Sequence, residues 1–188
     1  MISKGEKNRE KIIGAASELF YERGYKQTSF KDVAVAAGIP KGNFYYYFKC
    51  KDDLLDAVIQ VRVEWLRERL CQWEASTDDP KERLKFVASL MQESAEHASR
   101  YGCPIGSLNA ELTKNDESML KSARGMFDLL VDWGEQQFRT LGKGDESRDL
   151  AIHLLAMSQG SILMSSVYKD HDLLIRESNR VRDWVDAL

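Results

Sequence analysis

Apolar residues recur with the period of an α-helix along almost the whole chain. In the first such segment, 9–23, one face carries Ile12, Ile13, Ala16, Leu19 and Phe20. Comparable spacing predicts eight more helices, over 28–37, 41–48, 51–75, 81–97, 105–112, 117–138, 148–168 and 172–188. No segment alternates apolar and polar residues convincingly, as a half-buried strand would. The pattern therefore predicts an all-α fold.

The segment 28–48 predicts two short helices joined by a tight turn. Thr28 and Ser29 can cap the start of the first helix with their side-chain oxygens. Gly38 follows the apolar face of that helix, where a helix commonly ends in left-handed geometry. Pro40 then opens the second helix, at a position where its missing N–H costs nothing. This arrangement is a helix-turn-helix.

The second of these helices has two different faces. Its inner face carries Phe44, Tyr47 and Phe48, which can anchor it to a core. Its outer side and start carry the residues Lys41, Gly42, Asn43, Tyr45 and Tyr46. Such a surface suits DNA, because glycine permits close approach of backbones and the phenolic hydroxyls and lysine can reach phosphates or base edges. The predicted DNA-contact residues also include Thr28, Ser29 and Lys51, the last at a helix start that favours phosphate.

Residues 9–55 closely resemble the signature of the TetR family of helix-turn-helix transcriptional regulators. The matching positions are Phe20, Gly24, Thr28, Ala34, Gly38, Lys41, Gly42, Tyr45, Tyr47, Phe48 and Lys51. Tyr46 and Cys50 depart from the pattern, since many members have histidine at the first position and serine or threonine at the second. These departures bear on operator preference rather than on membership. The resemblance implies an N-terminal helix-turn-helix DNA-binding domain, 1–50, joined to a larger helical ligand-binding and dimerisation domain, 51–188.

The resemblance also implies a homodimer that binds a palindromic double-stranded DNA operator. Release from the operator is expected when an unidentified small molecule binds the C-terminal domain. Dimerisation is expected through the helices 148–168 and 172–188, although their apolar and small residues could also pack within one chain. Two-fold symmetry would set two recognition helices about 34–36 Å apart, one turn of DNA. A repressor is the main expectation, and an activator stays open because the sign of regulation depends on where the operator lies.

The distribution of charge supports a DNA-facing end. The whole chain has a net charge of −3, which alone would argue against binding nucleic acid. Residues 1–50, however, contain nine Lys and Arg against five Asp and Glu, a net of +4, which leaves −7 on the remainder. A basic end on an acidic body is the asymmetry expected when one end meets phosphate.

Bulky side chains in the middle helices are candidates for a ligand pocket. They are Trp65, Phe86, Met91, Cys103, Met126, Phe127 and Trp133. Aromatic and methionine side chains line apolar pockets, but ordinary burial preferences favour a place in the core for any single one of these residues. Cys103 lies between Gly102 and Pro104, and the segment 102–112 looks like one found in TetR-like regulators of which some use the cysteine as a sensor. A redox-sensing thiol and a buried structural thiol are the two interpretations.

Other classes of protein receive little support. There is no HExxH or CxxC spacing, no Gly-rich phosphate loop and no GxSxG site, so we expect no enzyme activity, no bound metal and no cofactor. The first eight residues do not resemble a signal peptide, and no apolar run suggests a membrane span. Three widely spaced cysteines are typical of reduced thiols, so a soluble cytoplasmic protein is expected.

Overall fold

The structure, a computed structural model, describes residues 3–112 and 117–188, apart from the side chains of Lys41 and of 117–119. This part of the chain contains ten α-helices, one 3₁₀ turn and no strand, which confirms the all-α prediction. The helices are α1 (Lys4–Arg23), α2 (Phe30–Ala36), α3 (Lys41–Tyr47), α4 (Lys51–Ser76), α5 (Pro80–Glu93), α6 (Ala95–Tyr101), α7 (Pro104–Leu112), α8 (Glu117–Thr140), α9 (Ser147–Tyr168) and α10 (His171–Asp186).

Helix α1 begins before the apolar pattern does. Its start is a capping box, in which the Glu6 amide donates to the Ser3 hydroxyl and the Ser3 amide donates to the Glu6 carboxylate. The first turn is therefore stabilised by these polar groups and not by burial. Hydrophobic periodicity cannot detect such a turn, and this explains the later start predicted from the sequence.

The helix predicted over 81–97 is broken at Ser94 into α5 and α6. Ser94 has φ of −93° and ψ of 0°, outside the regular helical range. Its hydroxyl donates to the carbonyl oxygens of Leu90 at 2.8 Å and Met91 at 3.3 Å. A serine that bonds back to the preceding turn bends or ends a helix, although its apolar neighbours keep the helical period.

The chain forms two compact units. The first comprises residues up to Glu64 together with 107–124, and the second comprises 65–106 with 125–188. The boundary predicted at residue 50 falls at the start of α4, whereas the first unit continues through the first half of that helix. Leu54, Leu55 and Val58 are fully buried there. One long and two short helices bury little apolar surface alone, so these side chains are needed to complete a core.

The second unit has one continuous apolar core. Its buried members come from α4, α5, α6, α8, α9 and α10, and they include Leu66, Trp73, Leu84, Met91, Phe138, Leu154 and Leu174. Trp73 stacks on Phe86 with ring centroids 5.4 Å apart. Helix α10 packs against both α5 and α9, so the C-terminal helix belongs to this core.

Candidate nucleic-acid interface and ligand cavity

Helix α3 presents one polar and aromatic face to solvent, as its sequence predicts. Tyr45 is 50% exposed and Tyr46 is 85% exposed, and Gly42 and Asn43 are exposed beside them. Among the ring contacts of the described residues, the Tyr46 ring contacts only that of Tyr47, with ring centroids 5.2 Å apart. A helix that carries two exposed phenols and an exposed glycine can approach a phosphate backbone closely.

The opposite face of α3 is fixed to the first unit by aromatic packing. Phe44 is only 1% exposed, and its ring lies 4.8 Å from that of Phe30 and 6.4 Å from that of Phe48. The side-chain amide of Asn8 donates to the Tyr47 hydroxyl at 3.2 Å. The exposed residues of α3 are therefore held by a rigid, buried base.

In the structure, the hydroxyls of Thr28 and Ser29 both form hydrogen bonds within the chain. Thr28 is buried, and its hydroxyl donates to the carbonyl oxygen of Gly24 at 2.8 Å. Ser29 caps α2 in a capping box with Asp32, accepting from the Asp32 amide and donating to its carboxylate. The hydrogen bonds that the Ser29 hydroxyl and the Ser29 amide donate to the carboxylate lower the pKa of Asp32. Both hydroxyls are thus used within the chain, Thr28 in the core and Ser29 at the surface.

Lys51 is half-buried and its ammonium is already engaged. Its Nζ donates to the carbonyl oxygen of Lys26 at 3.3 Å and lies 4.2 Å from the centre of the Tyr25 ring. Burial lowers the pKa of Lys51, while the carboxylates of Glu111 and Asp52 act in the opposite direction. Lys51 thus sits at a defined position on the turn between α1 and α2. The side chain of Lys41 lies outside the described residues.

An apolar cavity of about 190 Å³ lies inside the second unit. Of the predicted ligand-binding residues, Trp65, Met91 and Cys103 line it. The others do not line it: Phe86 packs at the edge of the core, Phe127 is half-buried, and Met126 and Trp133 are buried. The pattern of bulky residues did not distinguish between cavity wall and core, because both environments select the same side chains.

Part of the cavity wall comes from α9, which the sequence analysis considered mainly as a dimerisation helix. Leu155, Ser158, Gln159 and Ile162 line the cavity from that helix. The apolar or small character of Leu155, Ser158 and Ile162 does indicate burial, but only the packing of α9 against α6 shows which space they enclose. The cavity is therefore mainly apolar with a few polar groups, as small-molecule sites usually are.

Cys103 is the one cysteine of three that is partly buried, and it is a free thiol. It precedes α7 directly and contributes to the cavity wall together with Pro104 and Ile105. Cys50 and Cys71 are exposed free thiols. A molecule in the cavity would therefore meet the Cys103 side chain.

Helix α9 has a second apolar face, which points to solvent. Its core-facing residues include Ala151, Leu154 and Ile162, which are buried within the same chain. The exposed apolar side chains of α9 and α10 are Ile152, Leu163, Met164, Val167, Tyr168 and Ile175. Packing within the chain thus covers the face of α9 that carries Ala151, Leu154 and Ile162. The opposite face has no partner in the described part of the chain.

The stretch Gly144–Tyr168 is long and apolar enough to cross a membrane by length and composition alone. It is the single such helix in the part of the chain that the structure describes. A core helix of a water-soluble protein passes the same test, so this is weak evidence for a membrane span.

Two family descriptions match this sequence. Residues 12–58 match the family described as bacterial regulatory proteins, tetR family. Residues 80–179 match the C-terminal domain described as transcriptional regulator LmrA/YxaF-like. The first match covers the end that carries α3 and its exposed face, and the second covers most of the unit that contains the cavity.

Individual relatives and a solved structure agree with these matches. An uncharacterized HTH-type transcriptional regulator in the lacX 3' region of Lactococcus lactis subsp. lactis is 34% identical over 91% of this chain and 88% of its own length. The HTH-type transcriptional repressor KstR2 of Mycobacterium tuberculosis is 33% identical over 69% of this chain and 60% of its own length. A crystal structure of a TetR transcriptional regulator from Chloroflexus aurantiacus has the same fold, with a TM-score of 0.87, 21% identity and coverage of 98% and 97% of the two chains.

Proposed function

From the premise that this chain belongs to the TetR family of bacterial transcriptional regulators, we propose that it is a ligand-released repressor which binds a palindromic operator as a homodimer. TetR-family regulators bind DNA operators and act as dimers. The observation that carries the proposal is the exposed Gly42, Tyr45 and Tyr46 face of α3 on a buried aromatic base. The sign of regulation is supported by relatives named as repressors, including the one from Mycobacterium tuberculosis.

In this proposal, α3 enters the major groove and its exposed residues contact the DNA. The hydroxyls of Tyr45 and Tyr46 reach phosphates, Gly42 allows the helix to come close, and Asn43 is placed to reach a base edge. Lys51 adds a positive charge at the start of α4. Thr28 and Ser29 support this surface indirectly, because they hold the turn and cap α2.

The exposed apolar face of α9 and α10 is proposed as the dimer interface. Leu163, Val167 and Tyr168 are each at least 60% exposed in the single chain. A second copy that covers this face would remove the apolar surface from water, which is the main favourable term in association. A two-fold interface also presents two copies of α3 to the two halves of a palindrome.

The effector is proposed to be a small apolar molecule. The cavity of about 190 Å³ is below the 300–1,000 Å³ that is usual for drug-sized ligands, so a compact compound fits best. Cys103 in its wall is proposed as a reactive sensor residue. TetR-family DNA-binding regulators are cytoplasmic in general, so a cytoplasmic location is proposed for this protein, and no enzyme activity is proposed for it.

Selection from a random pool of double-stranded DNA tests the DNA-binding proposal. The purified protein should enrich a palindrome, and the affinity for that site should fall steeply with salt, by roughly one unit of log–log slope for each phosphate contact. Tyr46→Phe should weaken binding by about fivefold or more because one phosphate hydrogen bond is lost. Tyr101→Phe, a matched change on α6 outside the proposed DNA-contact and interface residues, should leave the affinity unchanged. Failure to enrich any sequence would contradict the proposal.

A further inference from the structure

The turn between α1 and α2 is held by a carboxylate from much later in the chain. The Tyr25 amide donates to Glu111 Oε2 at 2.9 Å, and the Lys26 amide donates to Glu111 Oε1 at 2.6 Å. Glu111 therefore uses both oxygens on two successive backbone N–H groups. Such charge-assisted, paired hydrogen bonds are stronger and more directional than single neutral bonds.

Gly24 provides the space for this contact. Its φ of +89° is a conformation that side-chain-bearing residues rarely adopt. A Cβ atom at this position would also lie 3.2 Å from Glu111 Oε2. The backbone at Gly24 and the carboxylate of Glu111 thus fit against each other.

The same turn positions Lys51. The carbonyl oxygen of Lys26 accepts from Lys51 Nζ, and the Tyr25 ring lies beneath that ammonium. The Tyr25 hydroxyl in turn donates to the carboxylate of Asp52. Glu111 binds the amides of the two residues that hold Lys51, so a change at Glu111 alters the support of a proposed DNA-contact side chain.

We propose that Glu111 is a positioning residue, which fixes the 24–28 turn so that Lys51 can contact operator DNA. This proposal rests on the proposed DNA-binding function. Glu111 would touch neither DNA nor effector. Its effect on affinity is therefore indirect and passes through Lys51.

A positioning role and a simple charge effect predict opposite changes in operator affinity when Glu111 is replaced. Removal of a negative charge near a DNA-contact surface reduces repulsion of phosphate and should strengthen binding. Loss of a positioning bond should weaken binding. Glu111→Gln removes the charge and one acceptor oxygen at nearly constant size. Glu22→Gln, at an exposed site on α1, removes the same charge in the same unit and serves as the control.

The experiment measures operator affinity against salt concentration for the wild type, Glu111→Gln, Lys51→Ala, the double variant and Glu22→Gln. We expect Glu111→Gln to lose roughly five- to 150-fold in affinity, the range of typical coupling between sites, and to lose about one unit of salt slope, as Lys51→Ala does. The double variant should bind no more weakly than Lys51→Ala alone. Glu22→Gln should bind as well as the wild type or more tightly.

Hydrogen exchange of the free protein supplies a second readout that does not depend on DNA. In Glu111→Gln the amides of Tyr25 and Lys26 should exchange at least tenfold faster, with little change elsewhere in α1 and α2. Unchanged exchange at both amides, binding as tight as that of Glu22→Gln, or additive losses in the double variant would overturn the proposal. If the wild type itself selects no DNA while these two amides do respond, the proposed function fails and the role of Glu111 in the turn stands.

Discussion

Replacement of Phe44 by alanine is the most direct test of how α3 is oriented. Phe44 is the most deeply buried side chain of this helix, and its ring packs against those of Phe30 and Phe48. The change leaves the exposed residues of α3 intact and removes only their support. It therefore tests whether DNA binding depends on buried side chains that do not contact DNA.

The expected loss of stability follows from this burial. Truncation of a fully buried phenylalanine to alanine costs about 3–5 kcal/mol in the free energy of unfolding. Two aromatic pairs are lost with the ring, each worth about 0.5–1.5 kcal/mol beyond its buried area, which favours the upper part of that range. Domains are typically stable by only about 5–15 kcal/mol, so the first unit should be strongly destabilised.

Urea denaturation followed by circular dichroism measures this loss, and Tyr46→Ala is the matched control. Tyr46 is almost fully exposed, so its removal should change the free energy of unfolding by about 0.5 kcal/mol or less. Operator binding should be weakened in Tyr46→Ala at every temperature, whereas Phe44→Ala should regain binding on cooling, where it is folded. A cost below about 1 kcal/mol for Phe44→Ala, or equal costs for both variants, would refute the assignment of the two faces.

Three further outcomes are expected. Leu163→Glu on the exposed face of α9 should give a folded monomer in analytical ultracentrifugation with weakened operator binding, and a persistent dimer would place the interface elsewhere. In a variant with Cys50→Ser and Cys71→Ser, modification of Cys103 by N-ethylmaleimide should release the protein from its operator. Further replacement of Cys103 by serine should abolish that response. Unchanged DNA affinity after modification would exclude the thiol as a sensor. Because hydrogen bonds from the capping serine lower the pKa of Asp32, its contribution to stability is fully present above the ordinary carboxyl value of 3.8 and is lost as the pH falls through the lowered value. The stability difference between wild type and Asp32→Asn, followed by denaturation from pH 6 to pH 2, should therefore shrink only in the acid part of this range, and a difference that already shrinks at pH 5–6 would contradict this cause.

Local sequence signals were sufficient where backbone preferences and the helical period decide the structure. The break at Gly38, the start of α3 after Pro40 and the inward placement of Phe44 all follow from backbone preferences and helical period. The family could be identified for the same reason, since its signature lies within about fifty consecutive residues. The break at Ser94 could not be found in this way, because a back-bonded serine leaves the hydrophobic period unchanged.

The candidate site was predicted less completely than the fold. The outward placement of Tyr45 and Tyr46 follows from the helical period alone. The burial of Thr28 does not, because its hydroxyl is satisfied by Gly24 only once the turn has closed. Similarly, Met126 and Met91 have the same chemistry, yet only Met91 lines the cavity.

The sequence by itself determined the helices, the two faces of α3 and the family to which the chain belongs, because these depend on residues a few positions apart. The tertiary structure alone decided which faces of α9 are covered, which side chains surround the cavity and where Lys51 is held. Glu111 illustrates the difference most clearly. It contacts backbone amides 85 and 86 positions earlier in the chain, and the donors are main-chain groups that every residue but proline carries. No pattern of residue types can mark such a contact, so only the folded chain brings it into view.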